Sequence, residues 1–164
     1  MTPEEYMAQG LKDQIASAAT ALSVTVKHLG KPKDPVEPNV SFKGKTYETW
    51  VALEIAARLK GDTTTVEVIN HEGDVDPELR VRGGPGYLVS PKATGDQPCH
   101  LRISSPVRTL DLHISLQHKG QSGALHELDI SVVPYKPTIK MLAGQSAPYI
   151  GPRLLGLELK NYAM

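Results

Sequence analysis

Residues 124–133 read ALHELDISVV, an apolar, β-prone run that carries two carboxylates, those of Glu127 and Asp129. Side chains two residues apart on a strand point to the same face, so these carboxylates are predicted to lie side by side. Burying unpaired charges is costly, and a strand that carries them inward usually has a use for them. The run therefore predicts a core strand with a polar site on one face.

A second run, RLLGLELKNY at residues 153–162, places Glu158 and Lys160 on one face of another predicted strand. Carboxylates that meet across neighbouring strands make a site for Mg²⁺ or Mn²⁺, because magnesium prefers oxygen ligands. We expect Asp129 and Glu158 to be the two direct ligands and the carbonyl of Leu159 to be a third. The lysine adds an ammonium beside the metal ion, and together these groups suit the hydrolysis of a phosphodiester.

The remaining carboxylate of these runs, that of Glu127, shares a face with Asp129 and is predicted to bind a second metal ion or to support the ligands of the first. The charges also have an alternative interpretation, a solvent-exposed sheet face on which these carboxylates form cross-strand salt bridges with Lys160. High exposure of all these side chains would favour that alternative.

One further acidic residue is expected from a helix predicted at residues 46–60. Glu48 precedes an apolar stripe that includes Ile55, so its side chain points toward the core at the start of the helix. Its alternative role is a favourable charge in the first helical turn. Glu54 competes for the same position, but an intrahelical ion pair with Arg58 is the preferred interpretation of that residue.

These motifs resemble the restriction-endonuclease-like, or PD-(D/E)xK, nuclease superfamily. Asp129, followed after 28 residues by Glu158-Leu159-Lys160, is similar to its D…(D/E)xK signature. The sequence GKTYETWVA at residues 44–52 looks like the start of the first core helix in Mrr-like restriction endonucleases. ELD at 127–129 and ELKN at 158–161 are similar to patterns of nuclease-related (NERD-type) domains. The resemblance covers residues 44–162, in the superfamily's order.

The resemblance implies an α/β fold with a mixed central β-sheet flanked by helices. It implies a Mg²⁺-dependent nuclease, most simply a DNA endonuclease in restriction, repair or defence, in which Asp129, Glu158, Lys160 and Glu48 are catalytic. Lys160 would orient or polarise the attacking water. The alternative is a catalytically silent module on the same fold that binds nucleic acid or protein.

One departure from the family pattern concerns the end of the core. The family's ExK strand is normally followed by a helix and a further strand, so the core is interpreted as truncated after Lys160. An open sheet edge favours pairing with another chain. We therefore expect a homodimer, a partner subunit or residues 3–22 to cover the edge beside the 153–160 strand.

The charge composition of the chain limits how it could bind nucleic acid. Lys and Arg total 18 and Asp and Glu total 18, so the chain lacks a global basic surface, and DNA binding needs a local patch. Basic residues suited to phosphates, most of them expected in loops, are Lys43, Lys45, Lys119, Lys136, Lys140 and Arg153.

The cysteine, the apolar runs and the histidines narrow the possible classes of protein further. A single cysteine, Cys99, excludes a disulfide framework within the chain and suits a cytoplasmic location. No apolar run reaches the roughly 18 residues of a membrane span, so no membrane partner is expected. The six histidines lack the HxH and HExxH spacings, and a zinc site is therefore not expected.

The chain divides into residues 1–36, an N-terminal helix with a proline-rich linker, and residues 37–164, the nuclease-like α/β domain. Pro3, at the first position of the first helix, begins a helix predicted to span residues 3–22. Apolar runs predict strands at 64–70, 87–90, 99–104, 107–118, 124–133 and 153–160, with a short strand within 23–28. A hairpin loop is predicted at residues 119–123, where glycines supply positive φ.

Overall fold

The computed structural model describes residues 3–29, 40–84, 86–87, 97–135 and 148–159. Its helices and strands follow in chain order: α1 (Pro3–Leu22), β1 (Thr25–His28), α2 (Val40–Leu59), β2 (Thr65–Ile69), β3 (Glu78–Val81), β4 (His100–Ser104), β5 (Thr109–Lys119), β6 (Leu125–Pro134) and β7 (Leu155–Leu157). The protein is a mixed α/β fold, as the sequence predicts at that level.

The larger sheet has five strands in the order β2-β4-β5-β6-β7, and every neighbouring pair in it is antiparallel. A mixed central sheet was expected from the sequence. The parallel pairing lies instead between β1 and β3, which form a separate two-stranded sheet. Short connections explain the difference. Residues 105–108 and 120–124 join consecutive strands, and loops of this length give antiparallel neighbours.

The loop between β5 and β6 is the predicted hairpin. The backbone N–H of Gly120 donates to the carbonyl of Ala124 at 2.8 Å, and that of Gly123 donates to the carbonyl of Gly120 at 3.0 Å. Gly123 has a φ of +83°, which glycine adopts without the clash that a Cβ would cause. The turn fixes the register of the two longest strands and thereby of the carboxylates on β6.

Helix α2 packs on one face of the larger sheet, and α1 packs against α2 and β1. The shared core contains Ile15 and Leu22 of α1, Leu53 of α2, and the sheet residues Leu112 and Ile130. The N-terminal helix, which the sequence division placed with residues 1–36, thus contributes side chains to the core of the domain. Burial of these apolar side chains, and not helix propensity alone, stabilises the helices.

Several element bounds differ from the prediction. Helix α2 begins at Val40 and not at residue 46, so it includes Gly44, whose cost of about 1 kcal/mol in a helix is small beside tertiary packing. Strand β3 was not predicted, because four residues with two charges carry little apolar pattern. The strand expected at 153–160 is paired over Leu155–Leu157. Of the strand expected at 87–90, residues 88–90 lie outside the described residues.

Strands β5 and β6 change their alternation of faces at Ser115 and Asp129. Ladder pairs flank these two residues on both sides, but they are not themselves a pair, and Ser115 has a φ of +54°. Ile114 lies in the core beneath the helices, whereas Leu116 lies in a second cluster with Tyr149. Side chains two residues apart on a regular strand share a face. The distortion therefore brings polar side chains of both strands to the helix side.

Candidate active site

A buried lysine lies at the centre of the charged groups between α2 and the sheet. Lys45 is 9% exposed, and its Nζ donates to Glu48 Oε2 at 2.9 Å and to Glu127 Oε1 at 3.1 Å. It also donates to the hydroxyl of Ser115. All three ammonium hydrogens thus have acceptors. Lys45 was named among the basic residues suited to phosphates, most of them expected in loops, but it lies in α2, which begins at Val40, and its ammonium is bound to the residues above.

Glu48 and Lys45 are three residues apart and therefore share one face of α2. Ser115 Oγ donates to Glu48 Oε2 at 2.7 Å, so the carboxylate binds both an ammonium and a hydroxyl. We define these residues, Lys45, Glu48, Ser115 and Glu127, together with the neighbouring Asp129, as the lysine–carboxylate cluster. It joins one helix to two strands.

Electrostatics confirm that the members of this cluster act on one another. Burial raises the pKa of Glu48, and the charge of Asp129 raises it further, although the hydrogen bonds from Lys45 and Ser115 favour the ionised form. The net direction is upward. A buried carboxyl with a raised pKa beside a specific charge partner is a feature of functional sites.

Asp129 also contacts the segment that follows β7. The backbone N–H of Leu159 donates a hydrogen bond to Asp129 Oδ2, which places the end of the second sequence motif beside the first. Leu157 and Leu159 pack against the main core, and Glu158 between them is exposed. Lys160 lies outside the described residues. Metal binding by Glu158 and by the Leu159 carbonyl therefore stays a prediction.

Of the predicted acidic residues, the structure brings Glu48, Glu127 and Asp129 into the cluster. The competing residue Glu54 lies elsewhere on α2, where Arg58 Nε donates to its Oε2 at 3.3 Å in an exposed pair. The preferred sequence interpretation of Glu54 as an intrahelical partner is confirmed. Glu127 and Asp129 are half-buried, so the alternative interpretation, in which they lie on a solvent-exposed face of the sheet, does not apply to them.

The carboxylate oxygens of the cluster are possible ligands for magnesium. Carboxylate oxygens are the ligands that Mg²⁺ prefers, usually one or two with the remaining positions taken by water. Lys45 binds Glu48 and Glu127, so Asp129 and Glu158 are the carboxylates left for an ion, but Glu158 is exposed between Leu157 and Leu159, which pack against the core. Binding of a magnesium ion by Asp129 and Glu158 therefore stays a prediction.

A second polar cluster, which was not predicted from the sequence, lies on the face of the sheet away from the helices. Asp111 is 0% exposed, and Arg102 donates to it through Nε at 2.8 Å and through Nη2 at 3.1 Å. His100 Nε2 lies 3.4 Å from Asp111 Oδ2, and the ring of His113 is 4.5 Å from that of His100.

The electrostatics of this second cluster favour the ionised carboxylate. Burial alone would raise the pKa of Asp111, but hydrogen bonds from His100 and Arg102 hold it well below the usual range. The signal for the cluster was present in the sequence. Asp111 and His113 are two residues apart in a predicted strand, and His100 lies in the strand before it. Residue spacing along a single strand does not indicate metal ligands that come from two different strands.

Comparisons with protein-family models, curated proteins and solved structures give no match to this chain. Within the part of the chain that the structure describes, neither helix is long and apolar enough to cross a membrane. The geometry of the lysine–carboxylate cluster, together with the sequence motifs that meet in it, is therefore the basis for a functional proposal.

Proposed function

We propose that the chain is a Mg²⁺-dependent nuclease with a restriction-endonuclease-like core, and that its site is the lysine–carboxylate cluster. One observation carries the proposal. Glu48 and Glu127, which belong to two motifs far apart in the chain, both accept from the buried ammonium of Lys45, and Asp129, two residues from Glu127, accepts a hydrogen bond from the backbone N–H of Leu159 in the third motif. Buried charged groups are costly, and a protein usually keeps them where they have a use.

Different residues of the chain have different roles in the proposed phosphodiester hydrolysis. Asp129 and Glu158 would hold the magnesium ion, which when bound polarises the phosphate and lowers the pKa of a water. Glu48, with its raised pKa, is suited to accept a proton from the attacking water. Lys45 and Lys160 supply ammonium groups that stabilise negative charge as it develops on the phosphate.

DNA is the proposed substrate, on the strength of the resemblance to Mrr-like restriction endonucleases, and restriction, repair or defence in the cytoplasm is the proposed setting. A homodimer or partner subunit at the β7 edge belongs to the same proposal. Among the described residues, β7 is the last strand of the sheet and has only three residues, and Leu154 before it and Leu155 within it are exposed. Edges of this kind are places where another chain adds to a sheet.

A cleavage assay tests this function. The purified chain would be incubated with supercoiled plasmid, linear duplex DNA, single-stranded DNA and RNA, in Mg²⁺, in Mn²⁺, in Ca²⁺ and with a chelator. We expect Mg²⁺- or Mn²⁺-dependent cleavage of DNA that is lost in Asp129→Asn and Glu158→Gln. The matched control is Glu54→Gln, which removes the carboxylate that pairs with Arg58 on the same helix that carries Glu48.

Two outcomes would contradict the nuclease. Cleavage that persists unchanged in Asp129→Asn and Glu158→Gln would mean that the activity comes from another site or a contaminant. Binding of nucleic acid or of a protein partner by the wild-type chain, without cleavage of any of the four substrates, would favour the catalytically silent module on the same fold.

A further inference from the structure

We propose that His100, Asp111 and His113 form a binding site for a divalent transition-metal ion of the zinc type. One ligand atom from each of these residues lies within 4.8 Å of the others, and all three residues are buried. The site is separate from the lysine–carboxylate cluster and takes a different class of metal.

Strand pairing explains how three ligands meet. Asp111 and His113 are two residues apart on β5 and therefore share a face. Leu112 between them lies in the core beneath the helices, so the two polar side chains point to the opposite face of the sheet. The antiparallel pairing of Leu101 with Leu112 brings His100 of β4 beside His113.

The spacing of the ligand atoms suits a tetrahedral ion. His100 Nε2 and Asp111 Oδ2 are 3.4 Å apart. Two ligands at the Zn–N and Zn–O bond lengths of about 2.0–2.1 Å, at the tetrahedral angle, would be about 3.3 Å apart. Little movement of these two side chains would be needed to bind the ion.

The state of His113 is the second, independent observation. Its side chain is 3% exposed, and its Nε2 has no hydrogen-bond partner among the described residues. Buried polar atoms in proteins are nearly always paired, and an unpaired one calls for an explanation such as a missing ion. A metal ion bound between His113 and Asp111 would give that nitrogen a partner.

Arg102 is compatible with the site, because a carboxylate has about four positions at which it accepts a bond. The guanidinium donates to both oxygens of Asp111 and lies over the ring of Tyr135, with its Cζ 4.3 Å from the ring centroid. One acceptor position on Oδ2 remains for the ion, and the 3.5 Å contact between Arg102 Nη2 and His100 Nε2 would be replaced by the bond from that nitrogen to the ion. Arg102 would then orient the carboxylate and balance its charge, as residues behind metal ligands commonly do.

The ligand types select the metal. Imidazole nitrogen suits zinc, copper, iron and nickel, whereas magnesium is bound by oxygen. Three protein ligands leave one position of a zinc tetrahedron for water. Since the site joins β4 to β5 and is buried, its ion would cross-link the two strands at the centre of the sheet.

The metal alone is the probe for a test. Protein freed of metal by dialysis against a chelator would be titrated with Co²⁺, whose visible absorption is intense when its coordination is tetrahedral, and then with Zn²⁺ to displace it. His100→Gln and His113→Gln remove one ligand each. His118→Gln is the matched control, because His118 lies on the same strand, is buried, and has unpartnered nitrogens among the described residues, yet is outside the site.

We expect one equivalent of Co²⁺ in the wild type and in His118→Gln, and affinity at least about tenfold weaker in His100→Gln and His113→Gln, since even residues behind the ligands cost this much. X-ray absorption of the zinc-loaded wild type, which needs no variant to fold, should show two imidazoles. Absence of tetrahedral cobalt absorption, an oxygen-only ligand shell, or equal affinity in folded His113→Gln would overturn the proposal.

Discussion

Ser115 Oγ donates a 2.7 Å hydrogen bond to Glu48 Oε2, and it does so from the position at which β5 leaves the extended conformation. Left-handed backbone costs an L-residue about 1–2 kcal/mol, so this serine is held there by its surroundings. The ammonium of Lys45 donates to the same hydroxyl and to the same carboxylate. The distorted strand and the charged helix face therefore stabilise each other.

Removal of that hydroxyl should lower stability. Ser115→Ala deletes a hydrogen bond to a charged group, which is worth about 1.5–3 kcal/mol of unfolding free energy. The control is Ser131→Ala, because Ser131 is equally buried and its Oγ has no partner within the described residues. That control should be neutral or slightly stabilising. Urea denaturation measures both, and equal losses in the two variants would contradict the role of Ser115.

The pairing of Lys45 with Glu48 should couple the two residues strongly. Breaking a buried ion pair by removing one partner costs about 3–5 kcal/mol, because a charge stays buried without compensation. Lys45→Met should therefore be severely destabilising, whereas Lys45→Met combined with Glu48→Leu should lose less than the sum of the single changes.

The exposed pair of Glu54 and Arg58 on the same helix is the control for this cycle. Exposed pairs four residues apart on a helix contribute about 0.3–0.5 kcal/mol. A coupling energy between Lys45 and Glu48 no larger than that of the control pair would show that water, and not the protein, balances the charges of the cluster.

Stability should fall in mild acid, partly through His118. Burial, together with the charges of Arg153 and His126, lowers the pKa of His118 to about 4. The unfolded chain takes up a proton near the ordinary pKa of about 6.5, while the folded chain does not until a much lower pH. The unfolded state is therefore favoured progressively as pH falls between these two values.

The expected size of this effect is up to about 2 kcal/mol of unfolding free energy between pH 7 and pH 5. His118→Gln removes the titrating group and should flatten the dependence, whereas His126→Gln removes one of the two charges that lower the pKa of His118 and should flatten it only in part. Denaturant unfolding across this range measures the slope. A slope in His118→Gln as steep as in the wild type would assign the acid sensitivity to other groups.

The parts of the fold that could be predicted depend on contacts close in sequence. The bounds of α1 follow from Pro3 and the apolar spacing, and the pair of Glu54 and Arg58 follows from their separation of one helical turn. The contact of Lys45 with Glu127 could not be predicted, because it requires both the early start of α2 and the break in alternation at Ser115. Periodicity assumes regular strands and fails where a strand is distorted.

The ammonium groups of Lys45 and Lys160 can be told apart by their effects on the proposed hydrolysis. Lys45 is enclosed by acceptors, so Lys45→Ala should lower the free energy of unfolding as well as the cleavage rate. Lys160→Ala should reduce the rate of Mg²⁺-dependent cleavage about a hundredfold or more, because an ammonium that stabilises developing charge acts mainly in the transition state. DNA binding and stability should persist in that variant. Single-turnover cleavage, fluorescence anisotropy and denaturant unfolding separate these quantities, and full cleavage after Lys160→Ala would leave Lys45 as the only assigned ammonium.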